Sequence, residues 1–134
     1  MVYVTRRETF NAAHRLYNPN YSDEKNLRVF GKCSNPNWHG HNYILEVVVK
    51  GDVDESTGFV INQKDLKKII KKKVIEKMDH KNLNIETDFM KGVIPTSENI
   101  VVAIWEQLVN EIKQGKLYSV KLYETENNYF EYRG

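Results

Sequence analysis

A chain of 134 residues that is 40% hydrophobic and 28% charged has the length and apolar content for one globular domain with a modest core, and needs no second domain. Its formal net charge of +2, without aromatics interleaved with arginines, leaves no electrostatic footprint for nucleic acid. One cysteine excludes an internal disulfide, and with no long apolar run or signal peptide the expectation is a soluble, cytoplasmic protein with no membrane contact.

Val2 to Ala13 reads as a long strand that ends at His14, and His41 to Lys50 reads as a second. Ahead of the second strand runs Phe30-Gly31-Lys32-Cys33-Ser34-Asn35-Pro36-Asn37-Trp38-His39-Gly40-His41. His39 and His41 stand at i and i+2 on a strand, so both imidazoles leave one face. Antiparallel pairing with the first strand would bring His14 opposite that pair. Three neutral imidazoles with an open fourth position suit a catalytic zinc. Cys33 lies in a loop rich in glycine and asparagine, where a thiol is partly exposed. A nearby divalent cation and the adjacent Lys32 favour its thiolate, the form that serves as base or nucleophile. The alternative makes Cys33 the fourth ligand of a closed, structural zinc site.

The acidic turn Gly51 to Gly58 superficially suggests calcium. It fails the loop template, because Thr57 stands where the sharp turn wants glycine and Gln63 stands at the twelfth position in place of glutamate. A plain hairpin connection into a short strand, Phe59-Val60-Ile61, is expected. Asn62 and Asp65 then form an N-cap pair, and Leu66, Ile69, Ile70, Val74 and Met78 recur at helical spacing. That helix should end near Asp79. Its other side carries Lys64, Lys67, Lys68, Lys71, Lys72, Lys73 and Lys77, which read as a solvated face.

Asp79 precedes His80, and an aspartate beside a histidine can orient the ring and stabilise its imidazolium. The plain alternative treats both as helix C-terminal residues, with His80 favoured by the dipole. After an irregular stretch from His80 to Pro95, Thr96 or Ser97 caps a second helix with the stripe Ile100, Ile104, Leu108 and Ile112, and Gly115 stops it. Glu98 in its first turn complements the dipole. Leu117 to Thr125 and Tyr129 to Tyr132 finish the chain as strands joined by Glu126-Asn127-Asn128. Glu124 continues the alternate face of Tyr118, Val120 and Leu122. There it either pairs with a heterocycle presenting two adjacent N–H groups or ends its strand in water. The order β-β-(β)-α-α-β-β over residues 1–134 describes an α+β domain, an antiparallel four-stranded sheet with two helices on one face.

Seven runs in one order give this chain a close resemblance to the 6-pyruvoyl-tetrahydropterin synthase family: Phe10-Asn11-Ala12-Ala13-His14-Arg15-Leu16, Ser22 to Leu27, Phe30-Gly31-Lys32-Cys33, His39-Gly40-His41-Asn42-Tyr43, Met78-Asp79-His80-Lys81-Asn82-Leu83, Thr96-Ser97-Glu98-Asn99 and Tyr123-Glu124-Thr125. The resemblance implies the tunnelling fold, in which trimers close their sheets into a barrel and two trimers stack as a homohexamer. It implies a zinc-dependent lyase that converts 7,8-dihydroneopterin triphosphate to 6-pyruvoyl-tetrahydropterin and triphosphate in tetrahydrobiopterin synthesis. His14, His39 and His41 would hold Zn²⁺ and Cys33 would remove a proton. Asp79 and His80 would join Cys33 from a neighbouring subunit, and Glu124 would anchor the pterin with help from Thr96 and Ser97.

Two further functions fit the same motifs. A related enzyme, 6-carboxytetrahydropterin synthase of deazaguanine biosynthesis, shares fold, zinc, thiol and substrate, but typically places three residues between its cysteine and the His-Gly-His. Here Ser34 to Trp38 place five there, as in the pyruvoyl enzymes. Trp38 departs from the family in standing where a small residue is common. The other alternative is a non-catalytic zinc-binding oligomer, which would have no need of Asp79, His80 and Glu124 together.

Overall fold

The computed structural model describes residues 1–134. Alternation of inward and outward residues makes β1 (Val2–His14) and β2 (His39–Gly51) the two longest strands, and they pair antiparallel along their whole length, from Val2 opposite Gly51 to His14 opposite His39. β4 (Lys116–Thr125) pairs with the other edge of β2, and β5 (Asn128–Tyr132) pairs with β4. β3 (Lys81–Asn82) lies parallel to β1 beside Ala12 and Ala13. The sheet order is β3-β1-β2-β4-β5, so the expected four antiparallel strands become five in a mixed sheet. A two-residue strand has no periodicity to read. It exists because the chain leaving the first long helix docks on the β1 edge, with Leu83 N–H donating to Ala13 O at 2.8 Å.

The structure departs from the residue pattern in two further segments. Phe59-Val60-Ile61 forms bends in place of a strand; Val60 and Ile61 are adjacent and both buried, which the alternating pattern of a one-sided strand does not allow. Residues Asp23–Phe30 form a helix, α1, that apolar periodicity does not announce. Its signals are at its start, where Ser22 Oγ accepts from Lys25 N at 3.1 Å and Asp23 and Glu24 occupy the first turn. A 3₁₀ turn follows over Gly31–Ser34.

α2 (Gln63–Ile70) continues through a π-helical turn (Lys71–Ile75) into a last helical turn, α3 (Glu76–Met78). Leu66, Ile70, Val74 and Met78 are fully buried at a strict four-residue spacing. In an unbroken α-helix that spacing would turn the stripe by about 40° at each step; the wider π turn takes up part of this drift and keeps the stripe on the sheet. α4 (Ser97–Leu108) buries Ile100, Ile104 and Leu108. It ends at Leu108, short of Gly115, although Ile112 still packs inward. Both helical elements cover one face of the sheet, and their stripes join Phe10, Tyr43, Leu45, Val47, Val120 and Leu122 in one core of 22 buried residues. No helix is long and apolar enough to cross a membrane.

A bulge breaks the alternation expected of β4. Val49 pairs with Leu117 and Val48 with Ser119, which leaves Tyr118 on the outer side against Tyr3, ring centroids 4.9 Å apart. Val120 and Leu122 keep the inward face.

The return from α4 to β4 depends on Gly115, whose φ of +68° suits glycine and whose absent Cβ would meet Lys50 O and Val49 Cγ1, each at 2.8 Å. Gly115→Ala should therefore destabilise by more than about 1 kcal/mol, read as a lower urea midpoint with unchanged slope. An unaltered midpoint would mean that this turn relaxes freely.

Candidate active site

His14, His39 and His41 meet at one end of the β1–β2 pair. The register sets His14 opposite His39 and Ala12 opposite His41, and the two-residue period turns all three rings to the helix-covered side. Ring centroids are 4.5 Å apart for His14 and His39 and 5.1 Å for each of the other pairs. One nitrogen from each ring lies within 4.8 Å of the other two. Gly40 lets the strands approach closely at this point, since a Cβ there would stand 3.1 Å from Ala12 O.

The rings are prepared as donors to a cation. His14 is 1% exposed, and its Nδ1 lies 2.8 Å from the Pro95 carbonyl. A carbonyl only accepts, so Nδ1 carries the proton and Nε2 presents a lone pair. Burial, reinforced by His39 and His41, lowers the His14 pKa to about 4, and the ring is neutral at physiological pH. Burial and then His41 also lower that of His39. Nε2 of His14 and Nε2 of His41 are buried without a hydrogen-bond partner. Buried polar nitrogens without a partner are costly, and a metal ion held between the rings would relieve both. The donor set therefore fits a metal.

Cys33 sits in the 3₁₀ turn, partly buried. Two hydrogen bonds tie this turn to the end of β1: Leu16 N–H donates to Cys33 O at 2.8 Å and Arg15 Nε to Ser34 O at 2.7 Å. Cys33 and His39 line one cleft of ≈ 250 Å³ with Lys32, Asn35 and Trp38. The thiol is not a member of the three-nitrogen cluster, although it shares a cleft with His39. Trp38 holds a φ of +68°, which is rare for a bulky residue.

Glu124 extends the inward face of β4 beyond Leu122. Ser97 Oγ donates to its Oε2, and its Oε1 is 3.8 Å from His41 Nε2, too long for a hydrogen bond. Glu124 thus sits against both the histidine triad and the start of α4. Thr96 is the N-cap, its Oγ1 accepting from Asn99 N at 3.3 Å, while Ser97 is left to hold the carboxylate. Burial, with Glu124 adding to it, pushes the Tyr43 phenol well above its ordinary value. Its hydroxyl lies 3.4 Å from His14 Nδ1.

Asp79 and His80 lie elsewhere on the chain. Asp79 Oδ1 accepts from Asn11 N at 2.9 Å and Oδ2 lies 3.0 Å from His80 Nδ1; the Asn11 amide, with His80, holds the carboxyl below its usual range. The pair lines a cleft of ≈ 530 Å³ with Asn11, Asn42 and Tyr43 that shares no residue with the Cys33 cleft. One subunit does not bring Cys33 and this pair together. Sequence reasoning missed the Pro95 carbonyl, which leaves no mark in residue type, and Tyr43, whose place two residues beyond His41 on the same strand face is a readable signal.

The family described as 6-pyruvoyl tetrahydropterin synthase matches residues 3–134. The 6-pyruvoyl tetrahydrobiopterin synthase of Pongo abelii is 50% identical over 131 residues, 98% of this chain and 90% of that one. Its counterpart in Dictyostelium discoideum is 49% identical over 133 residues, 99% and 96% of the two chains. Among solved structures, Caenorhabditis elegans 6-pyruvoyl tetrahydropterin synthase superposes with a TM-score of 0.94 at 40% identity, covering 99% of this chain and 95% of that one.

Because Gly40 fixes the approach of the two ligand-bearing strands, Gly40→Ala should loosen divalent-metal binding by roughly tenfold or more at nearly unchanged melting temperature. Cobalt titration followed by absorption measures this, and wild-type affinity in the variant would show that the triad tolerates strand separation.

Proposed function

The chain belongs to the 6-pyruvoyl tetrahydropterin synthase family, and on that basis we propose that it is the zinc-dependent lyase that converts 7,8-dihydroneopterin triphosphate to 6-pyruvoyl-tetrahydropterin and triphosphate in the cytoplasm. The observation that carries the reading is the pairing of three clustered imidazoles, two with orphaned buried nitrogens, and a thiol that lines the same cleft as His39. A structural site would make the thiol a ligand, whereas here it stands outside the cluster. The five residues from Ser34 to Trp38, between thiol and His39, favour the pyruvoyl over the carboxy enzyme.

His14, His39 and His41 would hold Zn²⁺, which as a Lewis acid polarises the oxygens of the substrate side chain and acidifies the adjoining C–H bonds. Cys33 faces those bonds from the cleft wall and takes the proton. Glu124, aimed by the Ser97 hydroxyl, accepts two adjacent N–H groups of the pterin ring in the manner of a bidentate carboxylate. Thr96 fixes the helix start that carries Ser97. Asp79 holds the His80 imidazole through Nδ1, so the far ring nitrogen is free to exchange a proton with substrate.

The separate cleft of Asp79 and His80 gives assembly a chemical purpose. β3 pairs with β1 only at Ala12 and Ala13, which leaves most of that strand edge, and the outer edge of β5, open to pairing with other chains. Closure of these edges between copies would form trimers with barrel-like sheets, and two trimers would form a homohexamer in which Asp79 and His80 of one subunit reach the Cys33 of another.

Cys33→Ala should retain one zinc per chain and lose roughly 10²–10⁴-fold in turnover with little change in substrate affinity, whereas His39→Ala should lose the metal. Elemental analysis and mass-spectrometric detection of the pyruvoyl product check both; equal zinc loss in the two variants would make the thiol a ligand and sink the catalytic reading. Glu124→Ala should weaken substrate binding first, and an unchanged dissociation constant would mean that another group recognises the pterin. Cys33→Ala and His80→Ala, each inactive, should regain partial activity when unfolded together and reassembled as mixed oligomers. No recovery in mixtures shown by mass to contain both chains would place the whole proton-transfer set within one subunit.

A further inference from the structure

A second, larger cleft of ≈ 640 Å³ opens beside the one that holds Cys33 and His39, and Lys32 and Asn35 line both. Its walls come from the end of β1, from α1 and from the 3₁₀ turn, and they include Arg15 as well as Lys32. Neither cation is ion-paired with a carboxylate, although six pairs of an ammonium or guanidinium with a carboxylate occur elsewhere in the chain. Arg15 is held in place without being used up. Its Nε donates to Ser34 O at 2.7 Å, and its guanidinium centre lies 4.0 Å from the centroid of the Tyr17 ring. This clamp fixes the plane of the fork and leaves its two terminal nitrogens to donate outward, a geometry suited to phosphate oxygens. Lys32 is exposed, follows Gly31 at φ +57°, and stands at the boundary of the two clefts.

We propose that this cleft is the polyphosphate subsite: Arg15 and Lys32 receive the triphosphate of the substrate while its side chain lies between Cys33 and His39. The assignment rests on the lyase reading given above and extends it to the leaving group. Elimination breaks the bond between the side-chain carbon and the ester oxygen, and the electron pair goes to the departing triphosphate. A cation at the mouth shared by both clefts stabilises the charge where it develops. Asp23, in the first turn of α1, is the one carboxylate in the lining and opposes the anion. The chain carries a second concentration of positive charge, the outer side of α2 and the π turn after it with Lys64, Lys67, Lys68 and Lys71, but these residues line neither of these two clefts.

Calorimetric titration of the zinc-loaded protein with inorganic tripolyphosphate tests the subsite directly, with zinc content measured afterwards because the ligand chelates metal. Lys32→Glu should weaken binding by roughly tenfold or more, and Asp23→Asn should tighten it by a few-fold. Lys68→Glu should change it less than about twofold, the loss expected from a distant screened charge. Tripolyphosphate should compete with substrate, and Lys32→Glu should raise KM. Lys32 is exposed and its side chain makes no hydrogen bond, so its replacement does not endanger folding; Arg15→Lys, which keeps the charge and loses the fork, provides a second reading. Equal effects of Lys32→Glu and Lys68→Glu, absence of competition, or no binding at all would overturn the subsite. If tripolyphosphate obeys the cleft variants but the pyruvoyl product never forms, the anion site stands and the lyase reading falls. If product forms while tripolyphosphate ignores Lys32, the reverse holds.

Discussion

The register of β1 on β2 is the constraint from which the site follows. His14 opposite His39 and Ala12 opposite His41 put three imidazoles on one face only while the pairing keeps its phase; a slip of one residue would turn β1 over and send His14 to the opposite side. The core enforces the phase. Phe10 stacks on Tyr43 at 4.9 Å, and Leu45, Val47 and Val49 are fully buried on the same face. The apolar residues that stabilise the sheet and the imidazoles that would bind a metal are therefore set by one alternation along two strands. Mutations deep in the core are linked to the geometry of the histidine triad through this register.

Helix placement adds what the sheet cannot supply. The stretch before α4 delivers the Pro95 carbonyl to His14 Nδ1 and fixes its tautomer, and the first residue of α4 delivers the Ser97 hydroxyl to Glu124. Both contacts lie within three residues of one helix start. Thr96 caps that start, so the cap that stabilises the helix also locates the two groups that prepare a donor and a carboxylate. The proposed pterin anchor and the histidine triad thus share one support, which is consistent with the 3.8 Å separation between Glu124 and His41.

Much of this was legible from residue pattern because it depends on period. The i, i+2 spacing of His39 and His41, the strand that ends in His14, the stripe from Leu66 to Met78 and the inward place of Glu124 all follow from alternation or from helical repeat. What escaped notice had no period. β3 is two residues long, α1 announces itself only by Ser22 and two acids, and the bulge that displaces Tyr118 is a local shift in pairing. The Phe59 to Ile61 segment looked like a strand because β-branched and aromatic residues signal one; its consecutive buried side chains reveal a chain that crosses under the core edge. The Pro95 carbonyl is a backbone group brought by tertiary packing, and no residue type marks it.

Backbone strain in this molecule is found beside the proposed proton-transfer groups. Only two residues other than glycine have positive φ, Trp38 at 68° and His80 at 59°, and each such conformation costs on the order of 1–2 kcal/mol for a residue with a Cβ. Trp38 immediately precedes His39 and walls the cleft of Cys33. His80 ends the long helix in a left-handed turn, donates its amide to Asn11 O at 2.6 Å, and keeps its ring against Asp79. Glycine at either position would remove the backbone cost, and at position 80 it would also remove the imidazole. The two strained residues flank the two halves of the proposed proton-transfer set, which are separated within one subunit. Packing that tolerates strain at these two places and no others is what a fold shows when side-chain position there is maintained against local stability.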